Sequence, residues 1–269
     1  MRFDWYSATV QEVEPEEVLP VLQEDLCDVK PMRPMHGYGY GAEVVRGDRR
    51  FAMVWWGGNG GGVHVQSSGP DSDLTAGKLR SAFPRHHVTR ADVCQDYSAP
   101  GAWDVLSKLA LEVADAQGIR VNHAGDWHRG QEGRTLYLGS PSSVARARCY
   151  EKGRQIGRDP DLVRMELCVR PKGDARLACA TAEPQAFWGS ARWSLALADR
   201  LGMSDVERMR CGTVYRVSDV ERTRFALVKQ YGPALLSWAA ELGTPEALGV
   251  ELVTRVQELQ LRRARESRR

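Results

Sequence analysis

Apolar residues along the first 170 positions recur at two spacings, and each change of spacing marks a new element. Alternation at every second residue, the period of a half-buried strand, runs over Asp4 to Val10, Tyr38 to Val45, Arg50 to Trp56 and the VHVQSSG stretch that begins at Val63. It returns after His86, where it runs into a turn stopped by Pro100, and again at Arg134 to Leu138, Arg146 to Lys152 and Leu162 to Arg170. Helical spacing marks Glu14 to Leu26, with Pro15 near its start, and Asp73 to Ala82. It also marks Ala102 to Gln117, where Trp103, Leu106, Leu109, Ala110 and Val113 share a side. The order β-α-β-β-β-α-β-α-β-β-β predicts an α+β fold on a mainly antiparallel sheet, with helices on one face and the other face open to a ligand.

From Ala180 the pattern turns helical throughout. Ser204-Asp205-Val206-Glu207 and Ser218-Asp219-Val220-Glu221 fit capping boxes, Thr244 followed by Pro245 fits an N-cap with proline at the first helical position, and Leu248, Leu252, Val256 and Leu259 form a stripe on the last helix. That stripe predicts a packed face and is too short to establish a coiled-coil dimer. The change of texture divides the chain into residues 1–175 and a helical region, 176–269. Two glycine-rich stretches, GYGYG at Gly37 to Gly41 and GGNGGG at Gly57 to Gly62, read as strand and turn glycines, because no GK[ST] follows either and no helix opens there.

Composition narrows the class. With 42% hydrophobic residues, 27% charged residues and eight tryptophans in 269 positions, the chain can bury a core and is not a disordered one. No apolar run reaches the roughly 20 residues that span a bilayer, and MRFDWYSATV lacks a signal-peptide core, so a soluble, cytoplasmic protein without a membrane partner is expected. Six scattered cysteines without zinc-finger spacing are read as reduced thiols. The net charge of +2 is nearly neutral but unevenly spread: seven acidic residues lie between Glu12 and Asp28, and five arginines (Arg262, Arg263, Arg265, Arg268, Arg269) fill the last eight positions. Such a basic end is suited to nucleic-acid phosphates, or serves as a solubilising terminus.

Candidate chemistry lies on three strands. Arg90, Asp92, Cys94 and Asp96 fall at period two, as do Arg146, Arg148, Tyr150 and Lys152, and again Arg164, Glu166, Cys168 and Arg170. Side chains two apart on a strand point the same way, so one face gathers carboxylates, guanidinium groups and a phenol. If the strands are neighbours, Asp92 and Glu166 approach a common centre with Asp96 at its rim, a hard-oxygen set for Mg²⁺ or Mn²⁺, while arginines grip phosphate. The alternative is a solvated face with modest cross-strand ion pairs. Tyr150 is the candidate nucleophile, since Arg148, Lys152 and a cation would favour its phenolate; Tyr137, on the preceding strand, competes. His86 and His87 are adjacent and face opposite ways, while His123 and His128 sit in a polar stretch, each a ligand or a loop residue. Alternation sends Cys149 into the core. Trp55, Trp56 and Trp127 are candidates for stacking on bases or for packing.

VTRADVCQDY, GRTLYLGSPSSVARARCYEKG and VRMELCVR, taken in order, resemble signatures of the replication initiation factor family, the rolling-circle initiators of certain plasmids and filamentous phages, related to some relaxases. The resemblance covers roughly Arg2 to Arg170. It implies a modified HUH-type domain that nicks and rejoins origin DNA, with Tyr150 as the catalytic tyrosine and Asp92 and Glu166, with Asp96 as a weaker member, as metal residues. Arg148 and Lys152 would contact the scissile phosphate. Arg90 and Arg164 would order the carboxylates or bind DNA, and Arg146 would add to the DNA-binding face, as would Arg262 and Arg263 in the tail. The implied partners are origin DNA, single-stranded or in a hairpin at the nick, and a host helicase, which the residues do not identify. The wider superfamily's His-hydrophobic-His element is absent. Two other classes stay open: an origin-binding protein without chemistry, which would leave no covalent adduct, and a hydrolytic metal-dependent nuclease, whose cleavage would survive Tyr150→Phe.

Overall fold

Every strand pairs antiparallel with its neighbours in one ten-stranded sheet, ordered β2-β3-β4-β5-β1-β6-β10-β9-β8-β7. The strands are β1 (Arg2–Val10), β2 (Cys27–Pro31), β3 (Tyr38–Arg46), β4 (Arg49–Gly58), β5 (Val63–Ser68), β6 (His87–Ser98), β7 (Val121–Gly125), β8 (Arg134–Leu138), β9 (Ala145–Tyr150) and β10 (Leu162–Val169). The computed structural model describes residues 1–23, 27–58, 60–129, 132–212 and 219–266. The two outermost strands, β2 and β7, were not expected from the sequence. Both are mostly exposed, so neither carries the alternation that a half-buried strand must have.

Helices α1 (Pro15–Leu22), α2 (Ser72–Ala82) and α3 (Ala102–Ala116) arise where the sequence places them, α1 being shorter than expected: its chain turns extended at Gln23, and Leu26 lies outside the described residues. They cover one face of the sheet. Phe3, Tyr6, Val65, Val93, Leu136, Ala147, Cys149, Met165 and Leu167 form a continuous core with Leu79, Leu106, Ala110 and Val113 from the helices. Two short helices, α4 (Lys152–Gln155) and α5 (Ala175–Ala178), follow β9 and β10. A 3-10 segment at Pro184–Ser190 and α6 (Arg192–Arg200) close the same face, with Phe187 edge-on to Phe3 at 5.6 Å and Trp193 and Leu197 buried.

The chain separates into two compact units, Met1–Val214 and Tyr215–Arg269. The change at residue 175 marks the end of the strands, but the segment through α6 belongs to the core of the first unit. Ser204–Glu207 does not start a helix: Asp205 has φ 63° and Gly189 lies so close to the Glu207 carbonyl that a Cβ there would overlap it, so tertiary packing overrides the local capping signal. The second unit is a helical hairpin, α7 (Asp219–Leu242) and α8 (Pro245–Glu266). α7 begins at Asp219; its expected cap, Ser218, lies outside the described residues. At α8 the Ala247 amide donates to the Thr244 hydroxyl at 3.1 Å, as expected for an N-cap. Arg255 lies over the Trp238 ring at 5.1 Å. The apolar stripe of α8 packs only in its first half, since Val256 and Leu259 are exposed.

Candidate functional site

The open face of the sheet is assembled by register. Glu166 on β10 lies between Cys94 of β6 and Arg148 of β9, Cys168 between Asp92 and Arg146, and Arg164 between Asp96 and Tyr150. Asp92 and Asp96 therefore sit diagonally on either side of Glu166, within reach across the ladder. The three alternating segments form one surface, flanked by Tyr137, which pairs with Arg148 from β8. β9 ends at Tyr150 and Lys152 opens α4, so the alternation stops one step earlier than the sequence predicts. The Lys152 ammonium nevertheless returns to within 5.7 Å of the Tyr150 ring centre and donates to the Gln155 side chain at 3.1 Å.

These charges are not a solvated face. Asp92 and Glu166 are only 2% and 1% exposed, and a carboxylate so buried requires partners. Arg90 grips both oxygens of Asp92 at 2.8 and 2.5 Å and stacks on Trp5 at 4.2 Å. Arg148 donates to Glu166 at 2.6 Å while lying 5.0 Å from the Tyr150 ring centre. The Tyr150 hydroxyl donates to the other Glu166 oxygen at 3.2 Å. Arg164, buried, is fully engaged with Asp96 at 2.6 and 2.8 Å and with Asp4 at 2.8 Å, so it ties β1, β6 and β10 together. Arg146 covers the Tyr137 ring at 4.1 Å. Arg90, Arg146, Arg148 and Arg170 surround a cavity of about 140 Å³ that Asp92, Glu166 and Tyr137 also line, and a second, of about 250 Å³, opens between Tyr137, Arg148 and Tyr150.

Electrostatics sharpen the arrangement. Burial raises the Glu166 pKa; Arg148 opposes this, while Asp92 and Asp4 add to it, and the net shift is upward. Burial and then Glu166 also push the Tyr150 phenol above its ordinary value, against the pull of Arg148 and Arg164. Arg148 pulls toward the phenolate, as expected, but desolvation of the ring is the larger effect. Burial works to raise Asp96 too, but the hydrogen bonds and charge of Arg164, with Arg2, hold it below the usual carboxylate range. Cys94 and Cys168 share the open face, and burial pushes each thiol up to about 12, which keeps them protonated; Cys149 is in the core.

Among the described residues no group of three or more His, Cys, Asp or Glu is arranged to hold a metal ion. Asp92 and Glu166 line the same cavity, and the charge of Asp92 adds to the raising of Glu166. Asp96 is committed to Arg164. His86 is buried, bonded to the Tyr6 hydroxyl at 2.6 Å and the Phe83 carbonyl at 2.7 Å, whereas His123 packs edge-on against Trp127 at 4.4 Å. Trp55 is buried, Trp56 stacks with Tyr40 at 6.0 Å and Trp127 is exposed. Arg262 and Arg263 fall on the last turns of α8, with side chains outside the described residues.

The geometry thus defines an α+β protein built on one antiparallel sheet, with a phenol and two acids on the sheet face that the helices leave uncovered. No family model and no curated protein matches the chain. Among solved structures it is similar to a rolling circle replication initiator protein from Geobacillus stearothermophilus, at 19% identity and a TM-score of 0.53, across 79% of this chain and 98% of that one. At that identity the likeness is one of fold. No helix among the described residues is long and apolar enough to cross a membrane.

Proposed function

We propose that the chain is a rolling-circle replication initiator that nicks and rejoins one strand of origin DNA through Tyr150. The observation that carries this reading is the Tyr150 hydroxyl directed at a buried Glu166 carboxylate, 3.2 Å away, which Arg148 holds from the other side. Glu166 accepts the phenol proton, and the phenol oxygen attacks the phosphorus of the scissile phosphodiester. The bond from phosphorus to the 3′ oxygen breaks, that oxygen leaves as a hydroxyl after taking up a proton, and the 5′ phosphate stays on Tyr150. Reversal reseals the strand without an external energy source.

Arg148, Arg146 and Arg170 at the smaller cavity, with Lys152 at the Tyr150 ring, supply positive charge where the phosphate gains negative charge. Arg90 and Arg164 orient carboxylates. Asp92 and Glu166 would hold Mg²⁺ or Mn²⁺, which suits one or two carboxylates completed by substrate phosphate and water. Bound there, the ion would supply Lewis-acid stabilisation of phosphate charge. DNA binding without chemistry is the competing reading, and the observation on its side is that both Asp92 oxygens are already taken by Arg90.

Incubation of the protein with labelled single-stranded origin DNA and Mn²⁺, followed by denaturing electrophoresis, separates the readings. Tyr150→Phe is expected to abolish the SDS-resistant adduct while Tyr137→Phe keeps it. An adduct that persists in Tyr150→Phe and vanishes in Tyr137→Phe reassigns the nucleophile, and cleavage without any adduct would replace transesterification by hydrolysis.

A further inference from the structure

A cavity of about 660 Å³, larger than the two beside Tyr137, lies on the same sheet face but toward the other edge, over β1 and β5. Arg90 lines both it and the small cavity at Asp92, so the two adjoin at one side chain. Its walls are aromatic: Trp5, and Tyr38 stacked on His64 at 5.9 Å with 17° between the rings, backed by buried Trp55. The two glycine-rich stretches that the nicking chemistry leaves unexplained build this wall. A Cβ on Gly41 would stand 2.9 Å from the Trp55 ring and one on Gly39 2.9 Å from the Gly57 carbonyl, so only glycine lets β3 and β4 close behind the rings.

The floor of the cavity is polar. Gln66 is 8% exposed and lines the cavity, so its amide can present a donor and an acceptor to a ligand there. His64 is bonded to the Thr9 hydroxyl at 3.0 Å, and burial, aided by His36, lowers its pKa to about 4, so at neutral pH the ring is uncharged. The lining therefore combines aromatic rings and neutral hydrogen-bond groups with two cations, Arg90 and Arg176. A flat, neutral heterocycle with a donor–acceptor edge, tethered to an anionic backbone, matches it.

We propose that this cavity takes one nucleobase of the single-stranded DNA, with its edge bonded to the Gln66 amide and its backbone directed by Arg90 toward Tyr150. The inference rests on the reading that the sheet face receives a DNA strand. β1 and β5 lie three and four strands from β9, about 14–19 Å, so the base belongs to a nucleotide a few steps from the scissile phosphate. The pocket sets which strand position is nicked, a task for which the phosphate-binding arginines carry no information.

Fluorescence anisotropy with the full chain tests this, using labelled oligodeoxyadenylate, oligothymidylate and an abasic backbone of equal length. The better homopolymer is expected to bind about tenfold tighter than the abasic strand. Gln66→Leu, nearly isosteric, and Met35→Trp, which fills the mouth from an exposed loop position, should each bring that ratio below about threefold. A ratio near one in the unaltered protein, or an unchanged ratio in both variants, overturns the pocket. Displacement of the strand by millimolar free deoxynucleotide also overturns it, in favour of a mononucleotide site. Base dependence without a covalent adduct leaves the pocket standing and removes the nicking chemistry; an adduct with no base dependence does the opposite.

Discussion

Glu166 is pulled three ways: burial raises its pKa, Arg148 lowers it, and Asp92 adds a second negative charge on the same face. A buried ion pair of this kind adds little to stability compared with apolar packing, so a function for it is the better account. The sign of its pH behaviour follows from the upward shift. Folded Glu166 holds its proton more tightly than the unfolded chain does, so its contribution to stability falls as pH rises from the ordinary carboxylate range through its raised value. As proton acceptor for Tyr150 it works only when ionised, so the adduct rate should fall as pH drops through that same raised value. Glu166→Gln is expected to slow adduct formation by about 10²–10⁴-fold and to remove this acid limb, with DNA affinity largely retained; an unchanged acid limb in a rate–pH profile would reject Glu166 as the base. The candidate acids were legible in the sequence because period two fixes the face. The cross-strand partners of Glu166 and Asp96 were not, because strand order and register are set by tertiary pairing that no local pattern encodes. Nor was the burial of Tyr150, 6% exposed, which depends on tertiary packing.

At the scale of elements, the active face depends on where β9 stops. Gly153, the last residue of CYEKG, is packed so tightly against the turn before β10 that a Cβ would stand 1.5 Å from the Asp159 carbonyl oxygen and 3.1 Å from the Leu162 side chain. Glu151, buried between Arg134 and Arg154, fixes the same corner from the other side. Gly153→Ala must therefore displace the turn, and is expected to cost about 1–3 kcal/mol of stability, read by chemical denaturation, and to slow nicking beyond that loss by moving Tyr150. A variant as stable and as active as the parent would show that the corner does not position the phenol. The central strands could be read in advance because one face is apolar and the other charged. β2 and β7 could not, being exposed on both sides, and the Ser204 box misled because Glu207 packs on Gly189.

On the proposed function, DNA would meet two different kinds of contact across the whole molecule, at the sheet face and at the C-terminal arginines. The sheet face concentrates structured arginines around acids and two cavities, whereas the last eight residues of the sequence include five arginines. Contacts from such a tail are electrostatic and release counterions, so Arg262→Ala with Arg263→Ala should reduce the slope of log affinity against log salt by about 0.9 per lost phosphate contact on duplex DNA, without changing which strand is nicked. An unaltered slope in a salt titration would remove the tail from the interface.

The covalent bond itself is the most direct test. After reaction with single-stranded origin DNA, nuclease digestion and trypsin cleavage, mass spectrometry of the peptide Cys149–Lys152 should reveal a nucleotide phosphate on Tyr150. The same mass increment on the peptide containing Tyr137, or cleaved DNA with both peptides unmodified, would contradict the account.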